Sequence, residues 1–372
     1  MGFDAFIGNA KAVSALRSMV AKRRVPHALL FTGPEGVGKK TLALMFAKAL
    51  NCQRLQDDFC GECTGCRRAE EMLDAARHDL AARRELKDAA RRTEGFIYFD
   101  IQLIEPLTRY ILIEQIRQLR TVAYTHPFEF ARRVLIIDQA QAVHWQAVDL
   151  LLKLLEEAPE STTVVLVCPN RHELRATLRS RCRLISLGSV DESTILRVLA
   201  RNAGVQQSRR ALVARLAAGS VARAMVFDLE AFQGQRQPWL EFLSSLLDDT
   251  GSRGGTPNWR LLFDSTRALT ENRADFQEAL RIGYSLPQDL MRILEGLPDS
   301  QVTNIDVVAR LRKWAPSLQL RGIEAFKKGL DESYRLYARN VNLQLGLDAL
   351  AVELNSLVGW SKAERALQPP RT

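Results

Sequence analysis

The sequence contains no long apolar run. No stretch of its 372 residues approaches the roughly 18 uninterrupted apolar residues that a membrane-spanning helix needs. The first residues, Met1 to Val13, also lack the basic segment and apolar core of a secretory signal peptide. These absences argue against an integral membrane protein and predict a soluble protein of the cytoplasm with no membrane partner.

Aromatic residues are scarce, at 7% of the sequence, and no stretch interleaves them with basic residues as single-strand-binding surfaces do. Acidic residues are in deficit, because 43 Asp and Glu face 52 Lys and Arg, which gives a formal net charge of +9. A positive charge favours contact with nucleic acid or another polyanion. The arginines have acidic neighbours along helical segments, however, and this is equally typical of solvated helix faces. Charge alone identifies no partner.

Cysteine is rare outside one short segment. Four of the six cysteines, Cys52, Cys60, Cys63 and Cys66, form the spacing C-x7-C-x2-C-x2-C. Four thiolates can close a tetrahedral zinc site that has no open position for water, so the spacing predicts a structural zinc site. Four free thiols are the alternative interpretation. The other two cysteines, Cys168 and Cys182, are predicted to be small buried apolar residues.

Helix and strand patterns alternate between residues 9 and 187, which is typical of an α/β fold whose sheet is wound with helices. Strands are predicted at 28–32, 96–103, 134–138 and 163–168, and helices at 41–50, 113–122 and 145–157. Residues 67–94 interrupt this order with a charged, Ala-rich segment whose apolar face is thin. We interpret that segment as a helical insertion on the surface.

Strand signals end near residue 188, and helical patterns occupy the rest of the chain. Three parts are therefore predicted: an α/β core over 1–187, a small helical lid over 188–235 and an all-α domain over 236–372. A flexible loop is predicted at 250–258. Near the end, an apolar stripe is predicted to be mostly core and comprises Leu343, Leu345, Leu347, Leu350 and Leu354.

Residues 33–41, with the sequence GPEGVGKKT, follow a predicted strand and open a predicted helix, as a phosphate-binding loop requires. Gly33, Gly36 and Gly38 would let backbone N–H groups converge on phosphate oxygens, and Lys39 would reach the outer phosphates. A glycine-rich turn without a ligand is the alternative. The loop predicts a nucleotide-binding site.

Two parts of the machinery for ATP hydrolysis are missing. Lys40 stands where Ser or Thr should bind magnesium, and a charged ammonium has no lone pair to offer. Thr41 does not replace that hydroxyl. Successive side chains on a helix differ in direction by about 100°, so the Thr41 hydroxyl should point away from the phosphates. Asp138 ends a predicted strand as the second nucleotide motif requires, but Gln139 follows where an ATPase carries a glutamate base. The chain alone is not expected to be an efficient ATPase, and whether it binds ATP with magnesium stays open.

Several segments resemble the AAA+ clamp-loader proteins of bacterial replication, and in that family the delta-prime branch. They are the loop region from 25–28 onward, the cysteine segment after the first helix of the loop, 151–159 (LLKLLEEAP), 180–182 (SRC) and 340–345 (NVNLQL). The resemblance implies an AAA+ P-loop core with a parallel sheet and a zinc knuckle, a helical lid, and a helical collar that holds five subunits in a ring. The 67–94 segment is not required by the family.

The same resemblance implies roles for individual residues. Arg181 would be an arginine finger that completes the ATP site of a neighbouring subunit, where a guanidinium stabilises the transferred phosphoryl group. Asn170 and Arg223 match the first and second sensor positions, although Ala222 stands where the family usually has Gly. The implied partners are tau/gamma and delta subunits and, through the complex, the sliding clamp and primer-template DNA. The chain would be a stator that does not hydrolyse ATP itself.

Two alternatives remain. A tau/gamma-type ATPase shares the fold and the zinc knuckle, but it should carry Ser or Thr at position 40, Glu at position 139 and often further domains. A DNA-binding zinc protein could keep the degenerate loop as a scaffold, as the positive charge would allow. Tight, salt-sensitive DNA binding by the isolated chain would favour that second alternative.

Overall fold

The structure is a computed structural model that describes residues 2–88, 91–93, 99–201, 205–248, 258–273, 275–339 and 341–367. The chain divides into two compact units. The first consists of Met1–Ala203 and Ala217–Met225, and the second of Gly204–Leu216 and Val226–Thr372. The division into core, lid and collar stays a prediction. Most of the loop expected at 250–258 lies outside the described residues.

A parallel sheet of five strands forms the centre of the first unit, in the order β2-β3-β4-β1-β5. The strands are β1 (Ala28–Thr32), β2 (Ile101–Ile104), β3 (Arg133–Ile137), β4 (Thr162–Cys168) and β5 (Arg183–Ser186). All residues of β1 to β4 are buried, as expected for a sheet covered on both faces. The predicted strands at 28–32, 134–138 and 163–168 are confirmed. Of the strand predicted at 96–103, residues 96–98 lie outside the described residues, and β2 begins at Ile101.

Helices cover both faces of this sheet. Numbered along the chain, those of the first unit are α1 (Ala10–Ala21), α2 (Lys39–Leu50), α3 (Thr64–Glu85), α4 (Ile113–Ala123), α5 (Val148–Glu157), α6 (Ala176–Ser180), α7 (Glu192–Arg201) and α9 (Val221–Met225). The predicted helices after the loop, at 113–122 and at 145–157 are confirmed, the last with a short 3-10 turn at Trp145–Ala147 before α5. In the part of the chain that the structure describes, no helix has both the length and the apolar character needed to cross a membrane.

Helix α3 corrects the interpretation of the charged segment after the cysteines. The helix packs against α2 and β2, and four of its side chains after Cys66 join the core cluster on that face of the sheet. They are Ala69, Leu73, Ala76 and Leu80. The helix is therefore a layer of the α/β core rather than a surface addition, because small alanines let it approach the sheet closely while most of its charged side chains are exposed. Its status as an insertion stays a prediction.

The second unit contains only helices among its described residues: α8 (Arg210–Leu216), α10 (Leu229–Leu247), α11 (Trp259–Thr270), α12 (Phe276–Leu294), α13 (Val308–Ala338) and α14 (Leu343–Leu367). Large aromatic side chains fill its core, and the Trp239 indole donates a hydrogen bond to the Ala279 carbonyl at 2.8 Å. The predicted leucine stripe of α14 is buried with one exception. Leu345 is 64% exposed and does not belong to the core.

Candidate functional site

The carboxyl ends of all five parallel strands lie at one edge of the sheet. Thr32, the last residue of β1, pairs with Cys168 of β4 and Ser186 of β5. On the other side of β4, the last residue of β3 pairs with the last residue of β2. The residues that follow these strands, including Gly33, Glu105 and Asp138, therefore lie along the same edge. Ligands of open α/β sheets bind at this edge.

The loop after β1 has a positive φ angle at each of its three glycines. Gly33, Gly36 and Gly38 have φ angles of 149°, 73° and 91°, which favour glycine. Side chains at the first two positions would also collide with neighbours, because a Cβ on Gly33 would meet the Leu187 carbonyl oxygen and one on Gly36 would meet the Ser220 hydroxyl. Both backbone conformation and close packing therefore require these glycines.

The Lys39 side chain folds back onto the loop that precedes it. Its ammonium donates hydrogen bonds to the carbonyl oxygens of Gly33 at 2.6 Å and Pro34 at 2.7 Å. Burial lowers the pKa of Lys39, while the negative charges of Glu35 and Asp138 act in the opposite direction. The ammonium is thus held by its own loop, and its role in reaching phosphates stays a prediction.

A cavity of about 490 Å³ opens beside the loop. Its size falls within the range of about 300–1,000 Å³ typical of small-molecule sites. Its lining consists of Glu35, Gly36, Gly38, Lys39, Lys40, Thr41, Asp138, Gln139, Gln141, Val167, Cys168, Pro169 and Ala222. Thr41 is part of this wall, although we expected its side chain to point away. The loop and Asp138, the acid of the predicted second motif, line the same cavity.

Lys40 stands between two carboxylates. Its ammonium pairs with Glu105 and lies 3.6 Å from a carboxylate oxygen of Asp138. Glu105 also accepts a hydrogen bond from Arg84, at the end of α3, at 2.6 Å. Burial opposes ionisation of Glu105, but Lys40 and Arg84 outweigh it and lower its pKa. A cation of the protein itself thus lies next to the acid that a nucleotide-bound metal would use.

Burial raises the pKa of Asp138, and the neighbouring Lys40 partly offsets that effect. Gln139 follows with a left-handed backbone, φ 53° and ψ 48°, and its exposed side chain lines the cavity. An amide in this position cannot accept a proton from water. The acid that would orient a metal is present, and the base that would activate water is absent.

Three residues of this site were missed by sequence reasoning. Glu105 directly follows β2, so a strand predicted to end at 104 would have placed it at the ligand edge. Ser220 is buried, and its hydroxyl donates to the Gly36 carbonyl at 2.7 Å. Neither Ser220 nor Arg84 carries a local sequence signal, because each meets the site only through the fold.

The four cysteines form a second candidate site. Their sulfur atoms all lie within 4.8 Å of one another, and the shortest separations are 3.9 Å for Cys52–Cys60 and 4.0 Å for Cys52–Cys63 and Cys60–Cys66. A tetrahedral zinc ion with bonds of about 2.3 Å would place sulfurs roughly 3.8 Å apart. The arrangement is therefore consistent with a structural zinc site, as predicted.

Backbone N–H groups point at these sulfurs. Leu55 donates to Cys52, Cys63 donates to Cys60, and Cys66 donates to Cys63, at 3.3–3.4 Å. Burial opposes ionisation of Cys63, but hydrogen bonds from the backbone N–H groups of Gln53 and Cys66 outweigh it and lower its pKa to about 6. Burial raises the pKa of Cys66 to about 12, so a cation would be needed to hold that thiolate. Outside the cluster, Cys168 is buried as predicted and Cys182 is half-buried.

Comparison with known proteins agrees with this geometry. The family model described as "DNA polymerase III, delta subunit" matches residues 8–191, the segment that contains both sites. The chain belongs to the clamp-loader family of DNA polymerase III. The predicted family resemblance is thereby confirmed.

Curated relatives of this clamp-loader chain are tau and gamma subunits. The tau/gamma subunit of Haemophilus influenzae is 28% identical over 99% of this chain and 52% of its own length. The tau subunit of Escherichia coli is 28% identical over 66% of this chain and 35% of its own length. The chain spans about half the length, 52% and 48%, of the first two curated relatives it matches. A gamma subunit-related protein of Thermotoga maritima aligns with a TM-score of 0.44 and 15% identity, over 93% of this chain and 99% of that one.

Two clamp-loader motifs meet at Arg181. This residue follows α6, and its guanidinium pairs with Glu156 of α5 and donates to the Thr177 carbonyl at 3.0 Å. Its side chain is 38% exposed, and it is not among the residues that line the cavity of its own chain. Arg181 is therefore held at the surface of the first unit. Its role as a finger stays a prediction.

The two predicted sensor residues lie near the cavity but do not line it. The Asn170 side chain accepts a hydrogen bond from the His172 N–H at 3.0 Å and caps the turn after β4. The Arg223 N–H donates to the Ser220 hydroxyl at 3.1 Å, and Ala222 beside it is part of the wall. Their sensor roles stay predictions.

Proposed function

We propose that this chain is a delta-prime-type subunit of the DNA polymerase III clamp loader that does not hydrolyse ATP itself. The observation that carries the proposal is the position of Lys40 between Glu105 and Asp138. A hydrolysing site needs a magnesium ion beside this acid, and a fixed ammonium repels a divalent cation. The amide of Gln139 removes the general base at the same edge of the sheet.

The chain would instead support the active site of a neighbour through Arg181. The guanidinium is exposed, and Glu156 and Thr177 hold it in place. A finger that is already oriented loses little conformational freedom when it meets the neighbour's phosphates. The sensor assignments of Asn170 and Arg223 belong to the same proposal.

The implied assembly is a ring of five subunits that includes tau/gamma and delta partners and loads the sliding clamp onto primed DNA. The helical second unit would supply the collar. The four cysteines would hold a structural zinc ion, with no substrate position because four sulfurs saturate the metal. Metal analysis of protein purified without chelator should then give about one zinc per chain.

Steady-state ATP hydrolysis tests the central claim. The purified chain alone should show no turnover. The assembly of this chain with tau/gamma and delta subunits and primed DNA should hydrolyse ATP. Arg181→Ala should lower turnover of the assembly at least about tenfold, because arginine fingers contribute about 10³–10⁵ in rate in related phosphoryl transfers. Arg175→Ala is the matched control, because Arg175 is exposed just before the same short helix. Equal activity of both variants would remove the finger assignment.

A tau/gamma-type ATPase is the second candidate, and the names of the curated relatives favour it. It predicts turnover by the isolated chain that depends on Lys39 and is independent of Arg181. Robust hydrolysis without partners would therefore replace the supporting-subunit proposal with this one.

A further inference from the structure

The phosphate loop keeps its means of binding anions although the means of hydrolysis are lost. The three loop glycines keep their backbone conformations, Lys39 lies at the wall, and the cavity of about 490 Å³ is open to the loop. Helix α2 begins here, and no side-chain hydrogen bond caps its first turn. The unsatisfied N–H groups and the positive helix end favour a phosphate.

In an ordinary nucleotide site magnesium supplies a positive charge beside the phosphates. Here the Lys40 ammonium already supplies a positive charge at that place. The Lys40 ammonium has three donor N–H groups, of which one serves Glu105, while Asp138 lies 3.6 Å away. Lys40 also lines the cavity, so a remaining donor is available to a phosphate oxygen. The ammonium thus has the neighbours that a metal would have, a carboxylate on one side and the phosphate position on the other.

The ammonium is also fixed in place. Glu105 is buried and accepts from Lys40 and Arg84, and the Gln115 amide donates to its backbone carbonyl at 3.0 Å. Because two cations share this carboxylate, Lys40 is held at the cavity wall rather than extended into solvent. A divalent ion entering beside it would meet a like charge at close range.

We propose that Lys40 is a built-in replacement for magnesium, so that the cavity binds a nucleoside polyphosphate in its metal-free form. The inference rests on the proposed function, because a nucleotide bound in this way is retained rather than hydrolysed. Such a ligand would stabilise the first unit in one state while the neighbouring subunits cycle.

Calorimetric titration of the full chain with ATP and with ADP tests this inference. Metal-free buffer should be prepared with a chelating resin, since a soluble chelator would attack the cysteine cluster. We expect the wild-type affinity to change less than about twofold when magnesium is added. Lys40→Thr should bind at least about tenfold more weakly without magnesium and recover when magnesium is supplied.

Two further variants complete the design. Lys40→Met removes the charge and adds no metal ligand, so it should bind weakly under both conditions even if the threonine variant folds poorly. Lys11→Thr, on the exposed face of α1, should behave as wild type. Wild-type binding that requires magnesium, or no wild-type binding under either condition, would overturn the inference. Neither result would affect the Arg181-dependent turnover of the assembly, so the proposed function would still stand. Turnover of bound ATP by the isolated chain would overturn the proposed function.

Discussion

The cysteine cluster and the phosphate-loop cavity are both candidate ligand sites of the first unit, but they are built from very different lengths of chain. The cysteine ligands lie between residues 52 and 66, and their spacing alone brings them within reach of one ion. The cavity is lined by residues from 35 to 222 and exists only because strand ends meet. Local spacing can specify the first kind of site, whereas the second depends on strand order and on contacts that no motif records.

The largest effect should come from the local site. Cys66→Ser removes a buried sulfur, so zinc content should fall well below one per chain and the free energy of unfolding should drop by several kcal/mol, because structural zinc contributes roughly 10–16 kcal/mol in small zinc domains. Metal analysis and denaturant unfolding measure both quantities. Cys182→Ser is the control and should keep its zinc. Full zinc content in the Cys66 variant would show that the cluster is not a four-thiolate site.

The next effect tests how tightly the long-range site is packed. Gly33→Ala places a methyl group against the Leu187 carbonyl at a φ of 149°, so it should cost about 2–4 kcal/mol of unfolding free energy. Gly234→Ala is the matched control, because nothing lies within 4 Å of the added methyl in α10 and the change should stabilise by about 0.5–1 kcal/mol. A tolerated Gly33 variant would mean that the loop adjusts easily around the cavity.

Glu105→Gln should have a smaller effect on the same site. The change leaves Lys40 and Arg84 without their shared carboxylate, but their side chains are 38% and 44% exposed, so water offsets much of the loss. We expect a cost of about 1–2 kcal/mol by chemical denaturation. Glu114→Gln breaks an exposed pair with Arg117 and should cost less than about 0.5 kcal/mol. Equal costs would show that Glu105 does not organise the cavity.

The smallest effect should have the opposite sign. Burial raises the pKa of Asp138 above its ordinary 3.8, so the folded state holds the proton more tightly than the unfolded state does, and ionisation at neutral pH costs stability. Asp138→Asn should therefore stabilise the chain at neutral pH by a few tenths of a kcal/mol, roughly, and the gain should shrink as pH falls toward about 4. Exposed Asp264→Asn should change nothing. A variant less stable than wild type at pH 7 would show that the pair with Lys40 outweighs burial.

Much of the fold follows from local pattern. Runs such as Ala28–Thr32 and Thr162–Cys168 are apolar or β-branched throughout, which is enough to identify buried strands. The strand was predicted to end at 103, one residue before the end of β2. Glu105 was therefore not recognised as a residue at the ligand edge of the sheet. Helix α3 was taken for a surface helix because its apolar face is thin, although alanines are small enough to pack closely against a sheet. The apolar stripe of α14 was predicted to be mostly core, and Leu345 is its one exposed member.

The sequence by itself determined the four-cysteine cluster, the glycine-rich loop, and the presence of Lys40 and Gln139 where an ATPase would carry a magnesium ligand and a base, because each depends on residue types at fixed short spacing. Only the tertiary structure decided what Lys40 does. Its partners Glu105 and Asp138 follow different strands, and Arg84 arrives from the end of α3. Ion pairs between distant residues depend on strand order and helix placement, so the sequence could show that a cation replaced the metal ligand but not that the fold provides it with carboxylates.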